Sequence, residues 1–240
     1  MIGDNDRNEQ APSANPRQGA FFGRRKGKRL RAGQADRIDT LLPKLSLDLS
    51  QPAPADIRGL FAHAPAQIRL EIGFGGGEHL IAQAQREPSL GFVGVEAFVN
   101  GVAKALAAIE RQQLSNVRIH PGDATDVLAW LPPASVDRID LLYPDPWPKR
   151  RHWKRRFVQA QSLRALARIL RPGAHFRFAT DIADYAAWTL RHALASDDFL
   201  WTAECAADWQ DPWPDFRETR YEAKAKKAGR RPCYLTFRRR

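Results

Sequence analysis

Acidic side chains lie within or just after four short apolar runs of the sequence: Glu71, Glu96, Asp123 and Asp145. In open parallel sheets, ligands bind in the crevice outside the carboxyl ends of the strands. Glu96 follows a glycine-rich loop by about 20 residues, where an acidic residue commonly accepts hydrogen bonds from ribose hydroxyls. Asp123 follows a turn and suits the amino group of an adenine. These spacings predict a nucleoside site bordered by carboxylates.

The glycine-rich loop contains Gly73, Gly75 and Gly77 and opens into a segment of helical period. The dinucleotide fingerprint requires a third glycine at a fixed spacing, but Glu78 and Leu80 occupy those positions. Acidic residues flank the loop, whereas a pyrophosphate requires hydrogen-bond donors. The loop therefore favours a cationic or neutral nucleoside, and it resembles the loop of S-adenosylmethionine-dependent methyltransferases. A generic strand-to-helix turn is the alternative.

Two of the carboxylates also have simpler interpretations. Glu96 can be a solvent-exposed side chain at a helix N-terminus, where the helix dipole favours negative charge. Asp123 can be the N-cap of the helix that follows it. Both alternatives stay open at the level of the sequence.

A proline-rich and basic segment at residues 143–156 follows the fourth apolar run and reads Tyr-Pro-Asp-Pro-Trp-Pro-Lys-Arg-Arg-His-Trp-Lys-Arg-Arg. Alternate prolines fix φ and remove hydrogen-bond donors, so the strand ends and a rigid loop begins. Asp145 is thus expected on an inflexible edge of the nucleoside site, directly before six cationic side chains. A proline-capped strand followed by a solvated helix start is the alternative. Trp147 and Trp153 either stack on bases or anchor the loop by packing.

Strands and helices alternate along the chain. Strand-like runs at 68–72, 90–95, 117–119, 138–143 and 174–179 are separated by segments of helical period such as 78–86, 98–111 and 157–170. This order predicts an α/β, Rossmann-like, doubly wound sheet that is mostly parallel and covered on both faces. A last run at 233–237 predicts an antiparallel C-terminal strand. We expect a single domain over 36–240 and a basic, largely disordered tail over 1–35.

Composition excludes several classes of protein and favours a polyanionic partner. The 240 residues carry a net charge of +11, 2 cysteines and 6 histidines. No run approaches the ~18 apolar residues of a membrane span, and neither a disulfide framework nor a metal-ligand spacing is present. We therefore expect a cytoplasmic protein. Three blocks of the sequence together hold 22 basic and 3 acidic side chains: residues 1–35, 149–156 and 224–240. The rest of the chain therefore has a net charge of −8. Basic blocks on an acidic body favour nucleic acid.

The sequence resembles the bacterial tRNA (guanine-N7-)-methyltransferase family at four places: residues 144–156, the glycine loop over 71–78, Asp181 after the fifth run, and Thr-Arg-Tyr-Glu at 219–222. The resemblance covers residues 21–240. It implies a class I methyltransferase fold, S-adenosylmethionine as cofactor, tRNA as partner, and methylation of guanosine N7 at position 46 of the variable loop. Gly76 departs mildly from the pattern, because a larger residue is typical of the family there.

The resemblance also implies roles for individual residues, with Asp145 as the catalytic residue and no metal. The implied cofactor set is Glu71, Gly73, Gly75, Gly77, Glu96, Asp123 and Asp145. The implied guanosine set is Lys149, Asp181, Thr219, Arg220, Tyr221 and Glu222. The implied RNA-contacting set is Arg150, Arg151, His152, Trp153, Lys154, Arg155 and Arg156.

Chemistry constrains these roles further. Guanine N7 carries an in-plane lone pair and no proton, so its attack on a sulfonium methyl group needs no general base. We therefore expect Asp145 to position the reactants and to stabilise developing positive charge. Asp181 and Glu222 are acceptors that match the guanine N1–H and amino group, which become accessible once the base is unstacked.

Two other functions remain open from the sequence. A DNA amino-methyltransferase carries the motif [DN]-P-P-[YF], which residues 145–148 match only loosely because Trp147 replaces the second proline. A non-catalytic RNA-binding protein could retain a methyltransferase fold. It predicts no cofactor binding, against which the intact glycine loop argues.

Overall fold

A computed structural model describes residues 22–240, so most of the predicted N-terminal tail lies outside the described residues. The strands are β1 Ile68–Ile72, β2 Gly91–Val95, β3 Val117–His120, β4 Val136–Leu142, β5 Leu170–Thr180, β6 Phe199–Trp201 and β7 Cys233–Arg239. The helices are α1 Ala32–Thr40, α2 Leu42–Leu45, α3 Glu78–Arg86, α4 Val99–Gln112, α5 Ala124–Trp130, α6 Ala160–Ile169, α7 Ala183–Leu194, α8 Ala207–Gln210 and α9 Arg220–Lys227. Short 3-10 helices span Ile57–Leu60 and Arg150–Arg155.

The strands form one seven-stranded sheet in the order β3-β2-β1-β4-β5-β7-β6. Strands β1 to β5 pair in parallel, whereas β7 runs antiparallel to both β5 and β6. This confirms the predicted mostly parallel sheet with an antiparallel C-terminal strand. The strand order reverses between β1 and β4, and such a switch point opens a crevice at the carboxyl ends of the strands.

Two apolar clusters fix the helices on the two faces of the sheet. On the first face, Leu70, Ile139 and Phe176 pack with residues of α5, α6 and α7. On the second face, Phe92 packs with residues of α2, α3 and α4. In α4 the buried side chains Val102, Leu106 and Ile109 recur at helical spacing, so one stripe of the helix faces the sheet.

Periodicity predicted β1 and α3 with the observed bounds. The predicted helix over 157–170 begins later, because Gln159 caps α6 in extended conformation. Strand β6 was missed because three residues are too few to display an alternation. Helix α1 runs across residue 35, where the sequence divides tail from domain, and that division stays a prediction.

Within residues 22–240 no helix is long and apolar enough to cross a membrane. The same part of the chain contains no group of three or more His, Cys, Asp or Glu side chains that could hold a metal ion.

Candidate active site at the carboxyl edge of the sheet

The glycine loop after β1 forms the centre of the carboxyl edge. Gly73, Gly75 and Gly77 have φ values of 72°, 58° and 83°, a region that favours glycine. The Gly73 N–H donates to the carbonyl of Val95 at 2.8 Å, which ties the loop to the end of β2. The loop therefore has a fixed path between β1 and α3.

Helix α4 approaches this loop closely, and sequence analysis missed the residue that permits it. A Cβ atom at Gly101, in the first turn of α4, would collide with the carbonyl oxygen of Gly75. Only glycine allows this approach. The available signal was a glycine at the fourth position of the predicted helical segment 98–111, where it lowers helix propensity.

Glu96 lies at the end of β2 and is 8% exposed. Its Oε2 accepts from the Gly75 N–H at 2.6 Å, and its Oε1 accepts from the Phe98 N–H at 2.8 Å. Burial raises the pKa of Glu96 despite these bonds. The solvent-exposed alternative is therefore wrong, and the carboxylate faces the glycine loop.

Glu71 is buried beneath the glycine loop. Its Oε2 lies 2.8 Å from Nδ1 of His79, a residue of α3 to which sequence analysis gave no function. Burial raises the pKa of Glu71. Burial lowers the pKa of His79, but the Glu71 carboxylate more than offsets this, so the net shift is upward. The pair joins β1 to α3, and the cofactor role of Glu71 stays a prediction.

Asp123 begins α5 as its N-cap. Its Oδ1 accepts from the backbone N–H of Thr125 at 3.0 Å and from its hydroxyl at 2.9 Å. The N-cap alternative is thus confirmed, and a role toward the cofactor is not tested by it.

The loop after β4 presents Asp145 to solvent. Tyr143 and Trp147, on either side of it, adopt positive φ values of 50° and 43°, which is rare for aromatic residues. Within the described residues, the Asp145 side chain forms no hydrogen bond or ion pair, while partial burial raises its pKa. Strained backbone of this kind persists where the surrounding structure holds it, commonly at functional sites.

The sequence predicts Arg156 as an RNA contact, but the structure buries its side chain. Its side chain is 2% exposed, its Nε donates to the carbonyl of Pro146 at 2.9 Å, and a terminal nitrogen pairs with Asp184. The guanidinium also lies 5.0 Å from the ring centroids of Trp153 and Trp188. Arg156 therefore anchors the Asp145 loop to α7 from inside.

The other cations of this segment face outward. Lys149, Arg150, Arg151 and Lys154 are exposed. Arg155 is half-buried, with its guanidinium 4.9 Å from the Trp147 ring and 5.5 Å from the Phe22 ring. Trp153 is half-buried against Trp188, with ring centroids 5.4 Å apart, which fits the packing alternative for that residue. A basic surface thus begins directly beside Asp145.

Residues 219–222 cap and begin α9. The Thr219 hydroxyl accepts from the Glu222 N–H at 3.2 Å. Glu222 is 1% exposed, and its Oε1 accepts from the Tyr234 hydroxyl at 2.6 Å and from Lys226 at 2.7 Å. Its other oxygen, Oε2, is buried and has no hydrogen-bond partner among the described residues. Burial and Glu222 raise the pKa of the neighbouring Tyr143.

The start of α9 also reaches the glycine loop. The Tyr221 ring lies 3.6 Å from the place a Cβ of Gly75 would occupy, and it is 44% exposed. The Arg220 guanidinium lies 4.8 Å from that ring. Asp181 pairs with Arg230 at 2.5 Å, a partner that sequence analysis missed. Tyr221 of the predicted guanosine set thus lies beside Gly75 of the predicted cofactor set.

Comparisons with known proteins show the family of this chain. A family described as "Putative methyltransferase" matches residues 65–235. The "tRNA (guanine-N(7)-)-methyltransferase" of Rhodopseudomonas palustris (strain BisB18) is 58% identical over 231 residues, covering 96% of this chain and 92% of that protein. Its counterpart from Rhizobium meliloti (strain 1021) is 59% identical over 220 residues, covering 92% and 95%.

A solved structure shares the fold alone. The crystal structure of TrmN from Thermus thermophilus aligns with a TM-score of 0.53 at 18% identity, covering 73% of this chain and 45% of that chain. The near-full-length similarity to the curated relatives is much stronger. The chain therefore belongs to the tRNA (guanine-N(7)-)-methyltransferase family.

Proposed function

We propose that this protein transfers the methyl group of S-adenosylmethionine to N7 of a guanosine in tRNA. The observation that carries the proposal is the position of the Tyr221 ring beside Gly75, because it brings one member of the guanosine set next to the cofactor loop. Family membership supports the same reaction.

The carboxyl edge fits S-adenosylmethionine by the chemistry of its donors and acceptors. Gly75 lets the loop turn at positive φ, and Gly101 leaves no side chain between loop and helix. Glu96 and Asp123 would accept from the ribose and the adenine, respectively. The bound cofactor supplies a methyl group on a positively charged sulfur, which an edge rich in carboxylates favours.

Asp145 would stabilise charge during transfer instead of removing a proton. Guanine N7 has no proton to lose, and the purine gains the positive charge that the sulfonium gives up. Within residues 22–240 no cation pairs with Asp145, so its charge is available to the reactants. A preorganised carboxylate in such a place contributes through electrostatics.

Glu222 would read the Watson–Crick edge of the guanine. Its unpartnered Oε2 is a buried acceptor, and buried acceptors usually have a partner. Guanine offers N1–H and an amino group as donors. Asp181, 14% exposed at its side chain, would supply a second acceptor.

The finer target, position 46 of the variable loop, is supported by the family resemblance. The exposed cations Lys149, Arg150, Arg151 and Lys154 would hold the RNA backbone beside that nucleotide. The cytoplasmic location expected from the sequence belongs to the same proposal.

Product analysis tests the reaction against its two alternatives. The protein is incubated with labelled S-adenosylmethionine and either unmodified tRNA or duplex DNA, and the labelled nucleoside is identified. We expect 7-methylguanosine from tRNA alone. N6-methyladenine or N4-methylcytosine from DNA would contradict the proposal, as would the absence of cofactor binding in calorimetry.

A further inference from the structure

Four positions in register across β1, β4, β5 and β7 carry basic residues. Arg69 pairs with Arg138, Arg138 with His175, and His175 with Arg238. Paired residues on neighbouring strands share one face of the sheet and lie about 4.8 Å apart. Arg69 and Arg138 are like charges at this spacing and repel each other, so a negative charge nearby stabilises them.

The row belongs to a part of the sheet that the helices leave open. A cavity of about 380 Å³ is lined by Arg69, Arg138, Arg171, His175 and Arg177, and by Asp137. His175 and Arg238 are exposed, whereas parallel sheets are usually covered on both faces. We call this surface, formed by Arg69, Arg138, Arg171, His175, Arg177 and Arg238, the arginine face.

The arginine face lies away from the carboxyl edge. Arg69 stands near the start of β1, four residues before Gly73, and four residues of strand span about 13 Å. The cavity is thus separate from the site built around the glycine loop.

Internal acids neutralise only part of the charge. Arg138 pairs with Asp140 at 2.9 Å and with Asp215 at 2.6 Å. Arg177 pairs with Asp215 at 2.7 Å, and Arg171 pairs with Asp137 at 3.4 Å. In the described part of the chain, neither Arg69 nor Arg238 forms an ion pair. Arg69 donates to the neutral amide oxygen of Gln83 at 3.2 Å.

The arginine face also contains a hydrogen-bond donor without a partner among the described residues. The Nε of Arg177 is buried and has no hydrogen-bond partner within residues 22–240. Burial and then Arg138 lower the pKa of Arg69. Burial and the cations Arg177, Arg238 and Arg138 lower the pKa of His175. These features describe a surface that would gain from an anion.

We propose that the arginine face binds phosphate groups of an RNA backbone, at a distance from the methylated nucleotide. Guanidinium groups match phosphate geometry with paired hydrogen bonds. Exposed His175 lines the cavity, and exposed Arg238 lies beside His175 on the neighbouring strand. Cations that continue past the cavity onto the open surface favour a polymer that runs along it over a small enclosed anion. The inference rests on the proposed function for the identity of the polymer, which is tRNA.

The test measures tRNA binding against salt concentration without S-adenosylmethionine. The variant is the double substitution Arg69→Gln and Arg238→Gln, which removes charge and leaves no acid unpaired among the described residues. The matched control is Arg164→Gln with Arg191→Gln, two exposed arginines on α6 and α7, across the sheet. Each lost phosphate contact lowers the slope of log K against log[salt] by about 0.7–0.9.

We expect the double variant to flatten the slope by about 1–2 and the control to leave it unchanged. A wild-type slope in the double variant overturns the inference. A second result also overturns it: pyrophosphate raises the Tm of the wild type but not of the double variant, while the two proteins have the same salt slope for tRNA. The arginine face would then bind a small anion and not RNA.

Two further outcomes need their own readings: unfolding of the double variant, and failure of the wild type to bind tRNA. If the double variant unfolds, Arg238→Gln alone, at an exposed position, is expected to flatten the slope by about 1, and an unchanged slope overturns the inference. If the wild type does not bind tRNA, the proposed function fails together with the inference, whereas binding with an unaltered slope in the variant refutes the inference alone.

Discussion

The four acidic residues that lie within or after strands in the sequence have different surroundings in the structure. Glu71 is buried against His79, Glu96 accepts two backbone N–H groups, and Asp123 caps a helix. Asp145 is open to solvent, with a raised pKa. Among these four, Asp145 is therefore the carboxylate best placed to act on the reactants.

Asp145→Asn is expected to lower kcat by about 100-fold at saturating cofactor and tRNA, because the amide cannot stabilise the charge that develops on the purine. Binding of S-adenosylmethionine should change much less. Single-turnover kinetics and calorimetry measure the two effects. Asp197→Asn, at an exposed position after α7, is the control and should keep the wild-type rate. A near wild-type kcat in the Asp145 variant would refute the electrostatic role.

Glu222 is expected to distinguish guanosine from inosine, which lacks the 2-amino group. With inosine at the target position, kcat/KM of the wild type should fall about 10- to 100-fold, since a lost hydrogen bond to a buried charged group costs about 1.5–3 kcal/mol. Glu222→Gln should shrink this difference. Glu218→Gln, an exposed neighbour, should preserve it. Equal rates on both bases with the wild type would show that the carboxylate does not read the amino group.

At the scale of elements, the five parallel strands and several of the helices between them were predictable, whereas β6 and the connections were not. β1 and α3 have strong periods because one face of each is buried in the core. The segment between β6 and α9 has no period, yet Asp215 within it joins Arg86, Arg138 and Arg177 across the sheet. Such a long-range ion cluster leaves no local signal in the sequence.

Asp215→Asn is expected to lower the free energy of unfolding by about 3–5 kcal/mol at pH 7, because it leaves buried Arg138 short of one partner. Burial alone would raise the pKa of Asp215, but Arg138 and Arg177 more than offset it and hold that pKa below its usual range. The stabilisation is therefore complete above the unfolded pKa of about 3.9 and is lost as pH falls toward the folded pKa.

Urea unfolding of the wild type and of Asp215→Asn between pH 7 and pH 2 measures this loss. The difference in stability should stay constant down to about pH 5 and narrow below about pH 4. Asp211→Asn, an exposed neighbour, should show little change. A difference that persists undiminished at pH 2 would contradict the charge-based explanation.

The basic segment at residues 149–156 divides into outward and inward cations. Replacing Arg151 and Lys154 with Gln should flatten the salt slope of tRNA binding by about 2, since both side chains are exposed. Arg156→Gln should leave the slope unchanged but lower the Tm, because its charge is used inside the loop. Salt titrations and thermal unfolding measure the two quantities. If Arg156→Gln flattened the salt slope as much as the double variant does, Arg156 would contact RNA after all.

At the scale of the molecule, the net charge of +11 predicted a polyanionic partner, and the structure shows where the charges of residues 22–240 lie. One group of cations borders Asp145 on the carboxyl edge, and the arginine face lies toward the opposite ends of the same strands. The C-terminal basic block is also divided: Arg238 is exposed on the arginine face, while Arg239 donates to the carbonyl of Ala167. Composition could not assign these places, because burial depends on tertiary packing.

The most direct test of the central claim maps the methyl group on tRNA. Unmodified tRNA with guanosine at position 46 is incubated with the protein and labelled S-adenosylmethionine, beside a matched tRNA with adenosine at that position. We predict one label per molecule, on N7 of nucleotide 46, and none on the matched tRNA. Label on another atom or nucleotide, or equal labelling of both tRNAs, would contradict the proposed reaction or its target.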